Sequence, residues 1–314
     1  MSRRAGSDLA PGSAGDRMRA GFVALVGRPN AGKSTLLNRL VGTKLAIVSD
    51  KPQTTRNRIV GVRNYEGGQA VFVDTPGIHK PLHRLNVRML DTAIESLRQA
   101  DVVGVVSDVS SRPGQGERFV MDLVRGVAAP SILILNKVDL ISKPTLLPVI
   151  DRYRIGGQFK EIVPVSALTG SNIDRLERVF LEYLPEGEPL YPDEYLTDQP
   201  ERFFVAETVR EKVLEFTRDE LPFSTAVLVD LFEEPDGKGL MRLYCSILVE
   251  RDSQKPIIIG RSGQMIKRIG SAARQDLEHF FQTRVFLDLR VKVRSLWRED
   301  ERALDELGLR RPKG

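Results

Sequence analysis

The sequence has one cysteine, Cys245, and only three histidines among its 314 residues. A single cysteine excludes an internal disulfide, and no Cys/His cluster has the spacing of a zinc site. Long apolar runs are also missing, because apolar runs such as those at residues 131–135 and 256–259 are far too short to span a bilayer. These absences predict a cytoplasmic protein in which any bound metal is held by oxygen ligands.

The length exceeds that of a usual single hydrophobic core, so two domains are expected. Residues 1–19 are rich in Ser, Gly, Arg and Ala and lack the apolar core of a secretory signal, which predicts a flexible N-terminal arm. A stretch rich in acidic residues and proline, 185–201, predicts an interdomain linker. It would separate a first domain, 20–184, from a second domain with a C-terminal tail, 202–314.

The first domain alternates short apolar, β-rich runs with longer helix-compatible stretches. This alternation predicts a doubly wound α/β sheet. The apolar runs lie at residues 22–26, 70–73, 102–106, 132–135 and 162–165.

The second domain has a different pattern, in the order αββααβ, which predicts an α+β fold. Cys245 alternates with apolar residues on one face of its strand, which favours a core position over a role as nucleophile. The pattern consists of a helix at about 206–218, strands at 225–232 and 240–249 joined by a turn signal at Asp236-Gly237, a helix from about Gln264, and a last strand at 285–293.

The first motif follows an apolar strand and opens a helix, which is the context of a phosphate-binding loop. Its glycines let backbone N–H groups approach phosphate oxygens, and the helix N-terminus adds positive potential. Lys33 would contact the outer phosphates, Ser34 would ligate Mg²⁺, and Thr35 would mainly support the helix start. The motif reads Gly27-Arg28-Pro29-Asn30-Ala31-Gly32-Lys33-Ser34.

Three further motifs follow predicted strands in the order typical of GTP-binding proteins. In the first, Asp74 would hold the magnesium shell and the Gly77 N–H would sense the γ-phosphate. In the second, Asp139 would accept two hydrogen bonds from guanine, a donor pair that adenine lacks. In the third, the Ala167 N–H would reach guanine O6. The motifs are Asp74-Thr75-Pro76-Gly77, Asn136-Lys137-Val138-Asp139 and Ser166-Ala167.

Together these motifs resemble those of the Era family of GTPases. A segment similar to the family's switch I precedes Asp74, and within it Thr55 is the expected ligand of Mg²⁺ and the γ-phosphate, with Thr54 as the alternative. This segment reads Lys51-Pro52-Gln53-Thr54-Thr55-Arg56.

Ile78 follows the Asp-x-x-Gly motif, where Ras-like enzymes have a water-orienting Gln. The resemblance therefore implies a GTPase with a hydrophobic substitution, in which Asn30 helps to hold a K⁺ ion whose charge replaces an arginine finger; the alternative is that Asn30 only stabilises the loop. Lys33, Thr55 and Gly77 complete the expected catalytic group. Arg28 and Arg56 are candidate charge donors, although a solvated position would also explain either arginine.

A Gly-x-x-Gly turn stands before the helix of the second domain. Such a turn clamps the backbone of single-stranded nucleic acid in KH domains. The surrounding segment, 251–298, holds 11 basic and 4 acidic residues, a net charge of +7, which favours a polyanionic partner. Trp297 would either stack on a base or anchor the C-terminal tail. The expected RNA-binding residues are Gly260, Arg261, Ser262, Gly263 and Lys267.

The Era resemblance covers about residues 20–308 and implies a type II KH domain. It implies a monomeric, GTP-hydrolysing factor that binds the 3′ region of 16S rRNA and promotes maturation of the small ribosomal subunit. Two alternatives remain: an RNA-binding protein for which GTP is only a conformational ligand, and a GTPase that associates with the membrane surface.

Overall fold

The computed structural model describes residues 18–51, 53–79, 81–217, 221–235, 237 and 239–309. The greater part of the predicted N-terminal arm, Pro52 of the switch I segment, Asp236 of the predicted turn and residues 310–314 lie outside the described residues. In chain order the elements are β1 Arg19–Val26, α1 Lys33–Val41, β2 Ile59–Tyr65, β3 Gly68–Asp74, α2 Arg84–Gln99, β4 Val102–Asp108, α3 Gln115–Arg125, β5 Ser131–Asn136, α4 Lys143–Ile155, β6 Glu161–Pro164, α5 Ile173–Tyr183, α6 Glu201–Phe216, α7 Leu221–Ser224, β7 Ala226–Glu233, β8 Leu240–Val249, α8 Lys255–Ile259, α9 Gln264–Phe281, β9 Arg284–Val293 and α10 Glu301–Glu306.

The N-terminal half is built on a six-stranded sheet in the order β2-β3-β1-β4-β5-β6. All neighbouring strands are parallel except β2 and β3, which are antiparallel. Helices α1 and α5 contribute to the apolar core on one face of the sheet, and α2 and α3 contribute to the core on the other. The predicted doubly wound sheet is confirmed, with β2 as a strand that the apolar-run pattern missed.

Residues 185–199 run along the outer edge of this sheet. The Val62 N–H donates to the Leu196 carbonyl at 2.9 Å, and the Thr197 hydroxyl donates to the Val60 carbonyl at 2.6 Å. Tyr191 and Tyr195 stack with ring centroids 4.6 Å apart. The segment therefore pairs polar groups of β2 that an edge strand would otherwise leave open.

The C-terminal half contains a three-stranded sheet in the order β7-β8-β9. Strands β7 and β8 are antiparallel, whereas β8 and β9 are parallel. On α9, Ile269, Ala273 and Leu277 are buried at a spacing of four residues, so one stripe of the helix faces the core. The predicted order αββααβ is confirmed, and the short α7 is inserted before the first strand.

Cys245 lies in the core of this half and is 1% exposed. Burial, together with the nearby carboxylates of Asp230 and Asp288, raises the pKa of its thiol to about 12. The prediction that Cys245 is a core residue is confirmed.

A separate apolar cluster joins the two halves. Leu85 and Met89 from α2 pack with side chains of the second sheet and the C-terminal segment. Arg88, on the same helix, is 4% exposed and its guanidinium contacts the Asp305 carboxylate at 2.7 Å and the Leu309 carbonyl at 2.5 Å. The second half is thus held against the first by both apolar packing and a buried cation.

Candidate nucleotide and nucleic-acid sites

The predicted phosphate-binding loop connects β1 to α1, and its glycines are required by their surroundings. A Cβ atom on Gly27 would lie 2.4 Å from the Val106 carbonyl oxygen. Gly32 has a φ of 93°, and a Cβ there would lie 2.3 Å from Asn136 Nδ2. Any larger residue at either position would displace the loop or its neighbours.

Lys33 is the first residue of α1, and its ammonium group is turned back over the loop. Nζ donates to the carbonyls of Gly27 at 3.2 Å and Arg28 at 3.1 Å. Burial lowers the pKa of Lys33, while the charge of Asp74 opposes that shift. Thr35 lies in the first turn of the same helix, as predicted for a residue at the helix start.

Three side-chain oxygens meet beside the loop. Ser34 Oγ lies 2.7 Å from both Thr55 Oγ1 and Asp74 Oδ2, and Thr55 Oγ1 lies 3.3 Å from Asp74 Oδ2. Neighbouring ligands of an octahedral Mg²⁺ ion, each bound at 2.0–2.1 Å, are separated by about 3 Å. The spacing of these oxygens therefore fits the magnesium site predicted from the sequence.

Two observations add to this fit. Asp74 Oδ1 is buried and has no hydrogen-bond partner among the described residues, so an acceptor is left for a cation or its water. Burial raises the pKa of Asp74, and a bound cation would favour its ionised form. Of the two candidate threonines, Thr55 points into this site, whereas the Thr54 hydroxyl donates to the Lys51 carbonyl at 2.5 Å.

The Asp74-Thr75-Pro76-Gly77 motif lies directly against the phosphate-binding loop. A Cβ on Gly77 would lie 2.8 Å from the Cα of Pro29, and the Ile78 N–H donates to the Gly27 carbonyl at 3.1 Å. The Thr75 hydroxyl donates to the Leu25 carbonyl at 2.8 Å. The Ile78 side chain is 1% exposed and packs with the apolar core, so it leaves the water-orienting position of Ras-like enzymes without a polar side chain.

Asn30 adopts a φ of 62°, and its Nδ2 donates to the Asp50 carbonyl at 2.6 Å. Asn30 therefore links the phosphate-binding loop to the start of switch I, which is the loop-stabilising role weighed against K⁺ binding. The K⁺ role stays a prediction.

The two candidate arginines have other partners. The Arg28 guanidinium contacts the Ser111 hydroxyl and lies 3.4 Å from the Glu117 carboxylate and 3.9 Å from that of Asp108. Arg56 points away from the loop and into the C-terminal half, where it donates to the Thr225 carbonyl at 2.7 Å. Neither guanidinium is directed to the phosphate site in this arrangement.

The guanine motifs meet at the carboxyl end of β5. Asn136 Nδ2 donates to the Ala31 carbonyl at 2.9 Å, and Asn136 Oδ1 accepts from the Ala167 N–H at 3.0 Å. Asn136 thus ties this loop to the phosphate-binding loop. Lys137 has a φ of 68° and its Nζ donates to the Asp108 carboxylate at 2.8 Å. The Ser166 hydroxyl, which is buried, accepts from the Thr169 N–H at 3.1 Å.

Asp139 is exposed, and its carboxylate has no hydrogen-bond partner among the described residues. It is therefore available to an external donor pair, as base recognition requires. The prediction that the Ala167 N–H contacts guanine O6 remains open, because that N–H donates to Asn136 here. Leu168, the next residue, is 70% exposed beside the same loop. Leu168 was not among the predicted site residues, because only its place after Ser166-Ala167 marks it in the sequence.

The Gly-x-x-Gly turn connects α8 to α9. Gly260 has a φ of 72°, and a Cβ there would lie 2.5 Å from the Met265 Cβ. Gly263 has a φ of 78°, but nothing lies within 4 Å of its Cβ position. Between them, Arg261 and Ser262 are exposed. The first glycine is therefore needed for packing, while the second leaves open space at the N-terminus of α9.

A groove of about 290 Å³ lies next to this turn, between α9 and β9. Lys267 and Arg274 line it with positive charge, and the small residues Gly270 and Ser271 line it between them on the same helix. Lys267 was predicted to bind RNA, but Arg274 was not. The missed signal is the helical spacing from Lys267 to Gly270, Ser271 and Arg274, which puts them on one face of α9.

Trp297 is fully buried between the two halves. Its indole N–H donates to the Ser224 carbonyl at 2.9 Å, and the Arg56 guanidinium lies 5.5 Å from the centre of its ring. Ala303 and Leu304 of the C-terminal segment pack in the same cluster. These contacts support Trp297 as an anchor of the C-terminal segment rather than as a side chain that stacks on a base.

Within the described residues, no helix is both long and apolar enough to cross a membrane. In the same part of the chain, no group of three or more His, Cys, Asp or Glu side chains is arranged to hold a metal ion. The oxygen site at Ser34, Thr55 and Asp74 differs from such a group because two of its members are hydroxyls.

The fold and these motifs define a P-loop GTPase with a C-terminal KH domain. Residues 22–137 match the family model described as 50S ribosome-binding GTPase, and residues 222–298 match the KH domain model. The GTPase Era of Geobacter metallireducens is 51% identical over 290 residues, which cover 92% of this chain and 97% of that protein. The GTPase Era of Geotalea daltonii is 49% identical over 292 residues, which cover 93% and 98%.

Two solved structures agree with this over the same length. One is Aquifex aeolicus Era bound to GDP and AlF₄⁻, and the other is Era in complex with MgGDPNP and nucleotides 1506–1542 of 16S ribosomal RNA. Each is 41% identical, has a TM-score of 0.89 and aligns over 93% of this chain and 99% of the solved chain. The chain belongs to the Era family of GTPases, and it is a GTP-hydrolysing enzyme.

Proposed function

We propose that this GTPase binds the 3′ region of small-subunit rRNA through its KH domain and promotes maturation of the small ribosomal subunit. The observation that carries the proposal is the exposed Gly-x-x-Gly turn, which opens α9 beside the groove lined by Lys267 and Arg274. Backbone clamping at such a turn leaves bases free to enter the adjacent groove. A relative similar over the full domain pair was solved with a 16S rRNA fragment, which supports this RNA as the ligand.

In the GTPase domain, we propose that Ser34, Thr55 and Asp74 hold the magnesium shell and that Lys33 contacts the outer phosphates. Bound Mg²⁺ would supply positive charge against the phosphate oxygens. Thr55 belongs to switch I, so the site would be complete only when that segment is ordered against it. Asp139 would select guanine, and Asn136 would position the loop that presents it.

Because neither Arg28 nor Arg56 is directed to the phosphates, the cation that replaces an arginine finger must come from elsewhere. We propose that this cation is K⁺, held with the help of Asn30. Hydrolysis measured in KCl and in NaCl at equal ionic strength tests it, and equal rates in the two salts would exclude the proposal.

The RNA-binding proposal is tested by changing Arg261 and Ser262 together to Asp. The two carboxylates would repel the RNA backbone, and binding of single-stranded RNA from the small-subunit 3′ end should fall strongly in a filter assay. The matched control changes Ser142 and Lys143 to Asp, which alters the net charge equally at the exposed start of α4. Undiminished RNA affinity in the first variant would contradict the proposal.

A second measurement separates an assembly GTPase from an RNA-binding protein in which GTP is only a conformational ligand. An assembly GTPase should show multiple-turnover hydrolysis that responds to small ribosomal particles, whereas hydrolysis by the RNA-binding alternative should show no response.

We also propose that the protein is a cytoplasmic monomer. Flotation with liposomes of anionic phospholipid tests this, because protein that floats with the liposomes would be associated with the membrane.

A further inference from the structure

The switch I motif, 51–56, lies within a longer segment, 48–56, which the KH domain contacts near both ends. The Val48 N–H donates to Glu211 Oε1 at 3.0 Å. At the other end, Arg210 Nη2 donates to the Thr54 carbonyl. Arg210 and Glu211 are consecutive residues of α6, so one turn of this helix holds two points of the segment 48–56.

Both side chains are buried and fixed by other charges. Arg210 is 2% exposed, and its guanidinium is paired with the Glu207 carboxylate at 2.6 Å and 2.8 Å. Glu211 is 7% exposed, and its Oε2 lies 2.6 Å from Lys44 Nζ. Because each side chain has a charged partner outside residues 48–56, little further ordering is needed to make the two contacts.

The held segment includes the proposed magnesium ligand. Thr55 directs its hydroxyl into the GTPase site, 2.7 Å from Ser34 Oγ, while Arg56 directs its guanidinium to the Thr225 and Phe223 carbonyls of the KH domain. A displacement of switch I from α6 would therefore move Thr55 as well.

These contacts are discrete polar pairs. A cavity of about 680 Å³ lies beside the Arg210 contact, lined by Arg56, Glu207, Arg210 and residues from α10 and β7. Among the described residues, α6 reaches Val48 and Thr54 through these two hydrogen bonds. Removing either bond should therefore loosen the hold of α6 on this segment.

We propose that Arg210 and Glu211 are positioning residues for GTP binding and hydrolysis, acting from the KH domain by placing Thr55 at the magnesium site. The inference rests on the proposed role of Thr55. GDP lacks the γ-phosphate that switch I would contact, so weakening this hold should affect the triphosphate state more than the diphosphate state.

The test uses the full-length protein and measures GDPNP and GDP affinities on one preparation in Mg²⁺. Glu211→Ala should weaken GDPNP binding about tenfold relative to GDP, a loss typical of one hydrogen bond to a charged acceptor. Glu211→Gln retains an oxygen that can accept from Val48, so its effect should be smaller. Glu215→Ala is the control, because Glu215 lies one turn further along α6 and contacts Lys212 of the same helix.

The ratio of the two affinities separates positioning from a general loss of folding, because partial unfolding lowers both affinities equally. If Glu211→Ala leaves the ratio unchanged while Thr55→Ala reduces it, the inference is wrong and the role of Thr55 stands. If Thr55→Ala also leaves the ratio unchanged, the proposed magnesium role of Thr55 fails, and this inference fails with it. A reduced ratio in Glu211→Ala and an unchanged ratio in Glu215→Ala support the inference.

Discussion

The two glycines of the Gly-x-x-Gly turn should respond differently to a single methyl group. At Gly263 the only structural cost of alanine is the left-handed backbone, with a φ of 78°, because nothing lies within 4 Å of the new Cβ. That conformation costs an L-residue about 1–2 kcal/mol. The Gly263→Ala protein should therefore fold, with a melting temperature lowered by a few degrees.

At Gly260 the same change also forces a clash. The new Cβ would lie 2.5 Å from the Met265 Cβ and 2.7 Å from the Met265 backbone nitrogen. Relieving contacts with backbone atoms requires a shift of the start of α9, and overpacking of this kind costs about 1–3 kcal/mol more. Gly260→Ala should therefore be clearly less stable than Gly263→Ala.

RNA binding should not follow this order of stability. If the RNA backbone approaches the open space at Gly263, the methyl group there should reduce RNA affinity although the domain stays folded. Circular dichroism melting and fluorescence anisotropy with RNA from the small-subunit 3′ end measure the two effects separately. Parent-like RNA affinity in Gly263→Ala would refute the idea that close approach at this glycine is part of binding.

Three other predictions follow from the GTPase site and the core. Asp139→Asn should shift preference from GTP toward XTP in competition binding, because its amide presents a donor to the donor groups of guanine; unchanged preference would remove Asp139 from base recognition. Lys33→Ala should abolish nucleotide binding or turnover while the full-length protein still binds RNA, measured by nucleotide titration and filter binding. The free energy of unfolding should fall between about pH 9 and about pH 12, because the unfolded chain releases the Cys245 proton first; denaturant titrations of the parent and of Cys245→Ala should show that only the parent has this component.

Sequence reasoning worked best where a motif and its strand or helix specify each other. The phosphate-binding loop could be placed because an apolar strand precedes Gly27 and a helix begins at Lys33, and both glycines proved to be required by contacts. Strand β2 was missed because its second half is polar, with exposed Arg63 and Asn64 at the sheet edge. Its position depends on pairing with β3 and on the segment that covers it, and neither is encoded in local periodicity.

Arg56 and Trp297 show why side-chain roles were harder to predict than elements. The sequence neighbours of each residue favour a functional role, because Arg56 follows the switch threonines and Trp297 lies within the basic segment. In the structure they contact each other between the domains, and burial with the nearby Arg210 charge lowers the pKa of Arg56 to about 9, which leaves it cationic at neutral pH. The two residues lie more than two hundred positions apart in sequence, so no local pattern specified their contact.

Switch I links the two domains, because Thr55 faces the GTPase site while Arg56 contacts the KH domain. An interaction that links an RNA-binding domain to a GTP-dependent segment acts in both directions, since the coupling free energy between two binding events is the same from either side. If α6 favours the arrangement of switch I that accepts GTP, then bound GTP must equally favour the domain arrangement seen here. If RNA binds that arrangement more tightly than others, RNA affinity should differ between the GDPNP and GDP forms of the parent. The same difference should shrink in Glu211→Ala, because the hydrogen bond that transmits it is lost.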